Sequence, residues 1–186
     1  MIIAPKSKLL KQHQGDAPTI VQILPAMVRG GVERGTVEMA DAIQKHGGRA
    51  IVISRGGPMV RHLDRLGATH YQLDVHAKNP FLWPQVRSRL KSILSRENAD
   101  LVHVRSRAPA WIALPAAAAL GIATVSTVHG RFTTLSALKR IYNRKLLKTD
   151  HVIAISNYVR DLIIRQHVEV ENRLTVVHRG VDIDLF

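Results

Sequence analysis

Short runs rich in valine and isoleucine recur along this chain, and each is followed by a stretch with helical spacing. "TIVQIL" (19–24), "RAIVIS" (49–54), "HYQLD" (70–74), "LVHV" (101–104), "ATVSTV" (123–128), "HVIAI" (151–155) and "LTVVH" (174–178) read as strands. Most lack regular alternation of apolar and polar residues, as expected of strands covered on both faces. Between them apolar residues return every three or four positions: Val32, Thr36, Met39, Ala40 and Ile43 in 32–46, then Leu82, Val86, Leu90, Ile93 and Leu94 in 80–97. Further helices are expected at 59–66, 108–120, 134–148 and 157–166. Strand and helix taken in turn predict an α/β chain, a Rossmann-like doubly wound parallel sheet with helices on both faces.

At 186 residues the chain suits one domain with a real core. Residues 1–17 read as a basic extension and 18–180 as the domain. The absence of cysteine excludes a disulfide framework and thiolate chemistry, and fits a reducing cytosol. The amino terminus is no secretory signal, and "WIALPAAAALGIATV" is broken by Pro115 and Gly121 before it could span a bilayer. A soluble, cytoplasmic protein is expected.

Lys and Arg number 27 against 14 acidic residues, a formal charge of +13. Such a balance attracts nucleic acid, anionic lipid or phosphorylated small molecules. With aromatics at 4% and no nucleic-acid motif, nucleic acid is not expected as a partner. No pair of histidines or carboxylates has metal-ligand spacing, so no metal is expected either.

Ligands of open parallel sheets bind beyond the carboxyl ends of the strands. The residues just after the predicted strands include Arg29, Gly30, Gly31, Arg55, Arg105, Ser106, Arg107, His129, Gly130, Arg131, Ser156 and Arg179. This rim is basic and favours a phosphorylated ligand. Gly30 and Gly31 precede a helix, where missing side chains permit close approach, unusual φ and access to unpaired N–H groups. A phosphate cradle and a structural turn both satisfy that pattern. Gly30-Gly31-Val32-Glu33-Arg34-Gly35 fits neither the G-x-G-x-x-G dinucleotide fingerprint nor the P-loop, which argues against NAD binding and P-loop ATPase chemistry. His129, after a buried-type strand and before glycine, reads either as a ligand contact or as one structural histidine among ten.

Five segments in order carry a resemblance: "GGVERGTVEMADAIQKHGGRAIVIS", "ADLVHVRSR", "TVHGRF", "HVIAISNYVRDLI" and "VVHRGVDIDLF". From about Thr19 to Phe186 the chain resembles the amino-terminal domain of family-4 (group 1) retaining glycosyltransferases, two-domain GT-B enzymes. The resemblance implies transfer of a sugar, by a hexosyltransferase, from a nucleotide-sugar to an envelope glycan or lipid-linked acceptor, as in lipopolysaccharide biosynthesis. It implies that Gly30 and Gly31 contact the donor diphosphate and that His129 is catalytic, touching the transferred sugar. Arg29, Arg105, Ser106, Gly130, Arg131 and Ser156 would lie along the cleft. Gly180, Val181, Asp182 and Phe186 match the segment leading into a second domain, with 181–186 the start of the linker. That donor domain is absent from this sequence, so the chain alone is expected to be inactive. The nucleotide-sugar is a substrate, and no cofactor is implied.

The amino-terminal half of such an enzyme receives the acceptor. "RFTTLSALKRIYNRKLLKT" (131–149) carries Arg131, Lys139, Arg140, Arg144, Lys145 and Lys148 with no acidic residue, and Leu135, Leu138, Ile141, Tyr142 and Leu146 on another side. It suits an acceptor or an anionic inner-membrane surface, making the protein peripheral on the cytoplasmic membrane. It suits equally a surface helix packed on the sheet. "FLWPQVRSRLKSIL" (81–94) is a second candidate, but it reads first as a surface helix packing its apolar stripe on the sheet. Two other functions remain open: a non-catalytic basic module binding anionic membrane or polyanions, and a nucleotide-sugar epimerase on the same sheet.

Overall fold

A computed structural model describes residues 17–77, 79–130 and 137–180. Nearly all of the basic extension, Arg131, Leu135 and the linker segment 181–186 lie outside them. Seven strands, β1 (Thr19–Ile23), β2 (Arg49–Ser54), β3 (Thr69–Gln72), β4 (Leu101–Val104), β5 (Ala123–Val128), β6 (His151–Ala154) and β7 (Leu174–Val176), form one sheet. Every pairing is parallel, in the order β3-β2-β1-β4-β5-β6-β7. The expected doubly wound α/β architecture is present.

Helices α1 (Gly31–Lys45), α2 (Val60–Leu66), α3 (Trp83–Arg96), α4 (Arg107–Ala118), α5 (Ala137–Arg144) and α6 (Asn157–Gln166) make the crossovers or follow the strands. Alternate strand residues feed two cores. Val21, Ile23, Val102, Val104, Val152 and Ala154 pack beneath α3, α4 and α6, where Leu90, Leu94, Ile112 and Ile163 are fully buried. Ala50 and Val52 pack on the opposite face with Ala40 and Ile43 of α1 and Leu63 of α2. Burying a Val, Leu or Ile side chain gains about 1.5–3 kcal/mol, so filled faces on both sides stabilise this sheet. Carboxylates pin the amino ends of two strands: Asp100 accepts from the Thr19 amide at 2.8 Å, and Asp150 from the Thr124 amide and hydroxyl at 2.8 and 2.7 Å.

Several boundaries differ from the sequence expectation. β3 pairs over 69–72 rather than 70–74; Leu73 continues the apolar pattern and is buried, but lies past the ladder. The expected helix 80–97 opens as a 3₁₀ turn, Pro80–Leu82, and becomes α-helical from Trp83, with Pro84 in the first turn where no N–H is needed. The expected helix 134–148 tightens after Arg144 into the 3₁₀ turn Lys145–Lys148. A 3₁₀ segment, Val168–Arg173, was not expected. Met39 and Leu82, read as core, are 39% and 46% exposed.

The glycine pair expected to use unusual backbone angles does not. Gly30 has φ 170°, an extended value open to any residue. The requirement falls on Gly57, at φ +143°, where a Cβ would lie 2.4 Å from the Met27 carbonyl oxygen. There the loop after β2 clasps the loop after β1: the Met27 amide donates to Gly56 at 2.9 Å, and the Met59 amide to Met27 at 2.9 Å. Gly47, at φ +78°, has nothing within 4 Å of its Cβ position. Gly47→Ala should cost about 1–2 kcal/mol from left-handed strain alone. Gly57→Ala should cost about 3 kcal/mol or more, strain and collision together. Urea unfolding of both variants checks the order.

Candidate functional site

The winding reverses between β1 and β4, so the connections leaving their carboxyl ends part and open a crevice. Arg105 sits there, only 5% exposed. Its amide extends the ladder to the Ile23 carbonyl at 2.9 Å, and its Nη1 donates to Gln22 Oε1 at 3.1 Å. Gln22 in turn donates to the Thr36 carbonyl of α1 at 3.0 Å. A chain of polar groups from β1 to α1 therefore fixes a guanidinium beneath the helix.

Glycines make the space. A Cβ on Gly35 would meet Arg105 Nη2 at 3.0 Å and Arg179 Nη2 at 2.6 Å, and one on Gly31 would meet Arg179 Nη1 at 3.0 Å. Gly31 and Gly35, four residues apart, share one face of α1, and two arginines lie against it. Arg179 Nη2 reaches Glu38 Oε2 at 3.4 Å, while Glu38 Oε1 accepts from Arg34 Nε at 2.9 Å. Burial, and then the Arg179 charge, lower the Arg105 pKa to about 10, with Glu38 opposing; it stays a cation at neutral pH.

His129 follows β5. Among the described residues neither of its buried ring nitrogens has a hydrogen-bond partner, an unusual condition for buried polar atoms. Burial first, then the charges of Arg105 and Arg179, lower its pKa to about 4, so the ring is neutral at pH 7. His103, 4% exposed, shares a 2.8 Å hydrogen bond with the Thr127 hydroxyl. Burial, Arg105 and His129 bring its pKa down to about 3.

Arg105, Thr127 and His129 form a wall between two cavities. One, of about 460 Å³, also meets Pro25, Ser106, Gly130 and Tyr142. The other, of about 230 Å³, runs along the sheet between Gly35, Glu38 and Arg179 and the apolar Met39, Ile153, Ile155 and Val177.

Of the rim residues expected from sequence, Arg105, Ser106, Arg107, His129, Gly130 and Arg179 come together around these two cavities. Arg29, Gly30 and Gly31 line a neighbouring hollow of about 610 Å³ with Arg34, Arg61 and His62. A Cβ on Gly30 would meet Glu33 Oε2 at 2.4 Å, so the helix's own carboxylate already folds over its amino end. Ser156 caps α6, its hydroxyl accepting from the Val159 amide at 3.2 Å. Arg131 lies outside the described residues. Among those described, no group of three or more His, Cys, Asp or Glu could hold a metal ion.

The expected basic surface divides. Lys139 and Arg140 are exposed on α5, and Arg144 pairs with Glu169 at 2.8 Å. Lys145 lies 5.3 Å over the Trp111 ring, and with Lys148 it lines a hollow at the amino ends of the strands, beside Ala123, Thr124 and Asp150. Trp83, Trp111 and Tyr142 join α3, α4 and α5 as a ladder, with ring centroids 6.0 and 6.3 Å apart. Ile141 and Phe81 beside them are 59% and 89% exposed.

Sequence reading passed over Gly35, His103 and Thr127, and it placed Arg179 on the rim without a role. The i, i+4 pair Gly31/Gly35 was the available signal, since two glycines on one helix face mark something pressed against it.

The family model described as Glycosyltransferase Family 4 matches residues 29–185. The chain belongs to that family. A glycosyltransferase from Rickettsia africae ESF-5 is similar over 90% of this chain and 44% of its own, with 36% identity and a TM-score of 0.79. HepE from Anabaena, solved with UDP and glucose, is 17% identical over 89% of this chain and 45% of its own, TM-score 0.74. Sucrose-phosphate synthase from Thermosynechococcus elongatus is 14% identical over 91% of this chain and 50% of its own, TM-score 0.67. The latter two show the fold alone, a Rossmann-like domain of the GT-B type. The chain spans about half the length of these solved proteins. No curated protein matches its sequence significantly.

Two histidines held neutral by burial make stability depend on pH. With folded values of about 4 and about 3 against 6.5 unfolded, the unfolded chain binds more protons across this window. Their contribution is complete above the unfolded value and is lost as pH falls through the folded values. Each group supplies a slope approaching about 1.4 kcal/mol per pH unit. Urea unfolding between pH 5.0 and 6.5 should show stability rising with pH, and His103→Gln should remove close to one such increment of slope.

Proposed function

We propose that this chain is the acceptor-side, amino-terminal domain of a retaining glycosyltransferase, which transfers a hexose from a nucleotide-sugar to an envelope glycan or lipid-linked acceptor. The observation that carries this reading is His129: a neutral imidazole with neither nitrogen partnered among the described residues, set where two cavities meet. A neutral ring can donate from one nitrogen and accept at the other, which matches an uncharged sugar hydroxyl. A module that merely held polyanions would gain nothing from it.

In the reaction proposed, the bond from the sugar's anomeric carbon to the diphosphate breaks. The acceptor hydroxyl oxygen bonds to the same face of that carbon, and its proton passes to the leaving phosphate oxygen. His129 would hold the transferred sugar. Gly30 and Gly31 would offer backbone N–H groups to the diphosphate once the Glu33 side chain swings away, with positive charge from the rim stabilising the leaving group. A second domain, following the linker at 181–186, would supply the rest of the donor site, and the present chain would be inactive alone.

In a protein carrying both domains, His129→Ala should lower turnover about 100-fold, the scale of losing one oriented polar contact at a reacting centre, while the thermal midpoint stays near that of the parent. Unchanged turnover would remove His129 from the site.

For α5 we propose contact with an anionic membrane surface. α5 carries exposed Ile141 and Tyr142 together with the exposed cations Lys139 and Arg140, the combination that favours interfacial binding. No helix among the described residues is long and apolar enough to cross a membrane. Charge reversal at Lys139 and Arg140, which leaves the Arg144–Glu169 pair intact, should weaken binding to phosphatidylglycerol vesicles at least tenfold. Binding that survived the change would return α5 to a packing role.

A further inference from the structure

A hollow of about 460 Å³ opens at the amino ends of β5 and β6, on the edge of the sheet opposite the cleft. Its floor is apolar: Leu114, Pro115 and Ala118 from the end of α4, with Ile122 from the turn into β5. The carbonyls that end α4 are taken up by that turn. Pro115 accepts from the Ala119 amide at 3.2 Å, Ala118 from Gly121 at 3.2 Å and Ala117 from Ile122 at 3.1 Å. Lys145 and Lys148 line the same hollow, and among the described residues neither forms an ion pair. Burial first, then the charges of Lys148 and Arg87, lower the Lys145 pKa, so that ammonium sits in surroundings that disfavour its charge. Asp150 also lines the hollow, its Oδ2 accepting from the Thr124 amide and hydroxyl at 2.8 and 2.7 Å.

Apolar walls with a few convergent polar groups, enclosing about 300–1,000 Å³, are the form of a site for one small molecule. The apolar floor gives a polyanion nothing to hold, and the lysines add nothing for a neutral hydrocarbon. An occupant that uses both has an apolar body and an anionic head. We infer that the hollow binds a single-chain fatty-acid anion, its carboxylate at Lys145 and Lys148 and its tail along Leu114, Pro115, Ala118 and Ile122. The volume suits one acyl chain and not the two of a phospholipid. Asp150 favours a head group of one negative charge over a phosphate monoester, which carries nearly two. Each methylene removed from water adds affinity, while the head group relieves the repulsion between neighbouring ammonium groups. The site lies across the sheet from the cleft, so its occupant is a ligand of the domain and not a reactant. The inference is independent of the transferase reading.

The test is calorimetric titration of the 186-residue chain with sodium decanoate below its micelle concentration. Acetate serves as the head-group control and decyl maltoside as the tail control. One decanoate should bind per chain, at least tenfold tighter than either control. Lys145→Met and Lys148→Met together should weaken it at least tenfold, with the thermal midpoint near that of the parent. Ala118→Glu, at an exposed position, should weaken it as much by setting a like charge on the floor, and it gives an independent reading should the lysine pair disturb folding. Decanoate binding no tighter than a control, at several sites per chain, or indifferent to these substitutions would overturn the proposal. So would displacement of decanoate by dihexanoyl-phosphatidylglycerol at a tenfold lower concentration, since the hollow would then belong to a membrane phospholipid. Either result leaves the vesicle experiment at Lys139 and Arg140, and the His129 turnover experiment, standing.

Discussion

Parallel strands cannot be joined by tight turns, and this constraint organises the whole molecule. Each strand must be left at its carboxyl end and re-entered at its amino end, so a crossover spans the sheet each time. Loops that leave strands therefore collect along one edge and loops that return collect along the other. Arg105, Ser106, His129, Gly130 and Arg179 share an edge for that reason, although they are scattered over 75 residues of sequence. Asp100 and Asp150 sit at the other edge, holding strand starts. The reversal of winding between β1 and β4 then decides where the first edge opens.

Within that opening, the absence of side chains matters as much as their presence. Gly31 and Gly35 strip one face of α1 to backbone, and the guanidiniums of Arg179 and Arg105 occupy the space. Arg105 is held by a neutral amide, Gln22, not by a carboxylate. Its charge feels Glu38 only at a distance and acts on its neighbours: after burial, it is the next cause that keeps His129 and His103 neutral. Burial first, and then the charges of Arg105 and Arg179, hold the histidine beside both cavities neutral.

The strand cores and their common direction were legible because burial on both faces leaves a continuous apolar signature that short-range pattern detects. The end of β3 was not, since Leu73 is buried beyond the last ladder pair and burial and pairing are different properties. Rim residues could be named from their position after strands, but their grouping could not. Gly30 and Gly31 occupy a hollow apart from His129, and Ser156 is spent capping α6, outcomes set by three-dimensional spacing. Met39 carries helical periodicity like a core residue, yet it is 39% exposed and lines the cavity beside Ile153 and Val177. Arg179 is the clearest omission: its partners lie on α1, more than 140 residues earlier, as its contact with Glu38 shows.

The apolar lining of that cavity bears on how copies of this chain behave in solution. Met39, Ile153, Ile155 and Val177 leave an apolar ledge beside the sheet, and ledges of this kind promote self-association. A formal charge of +13 on 186 residues keeps molecules apart through mutual repulsion, a force that reaches only about 8 Å at physiological ionic strength. Colloidal stability therefore rests on the same excess of lysine and arginine that draws in anionic ligands. Added salt, or a bound polyanion, would bring the ledges of neighbouring molecules within reach of one another.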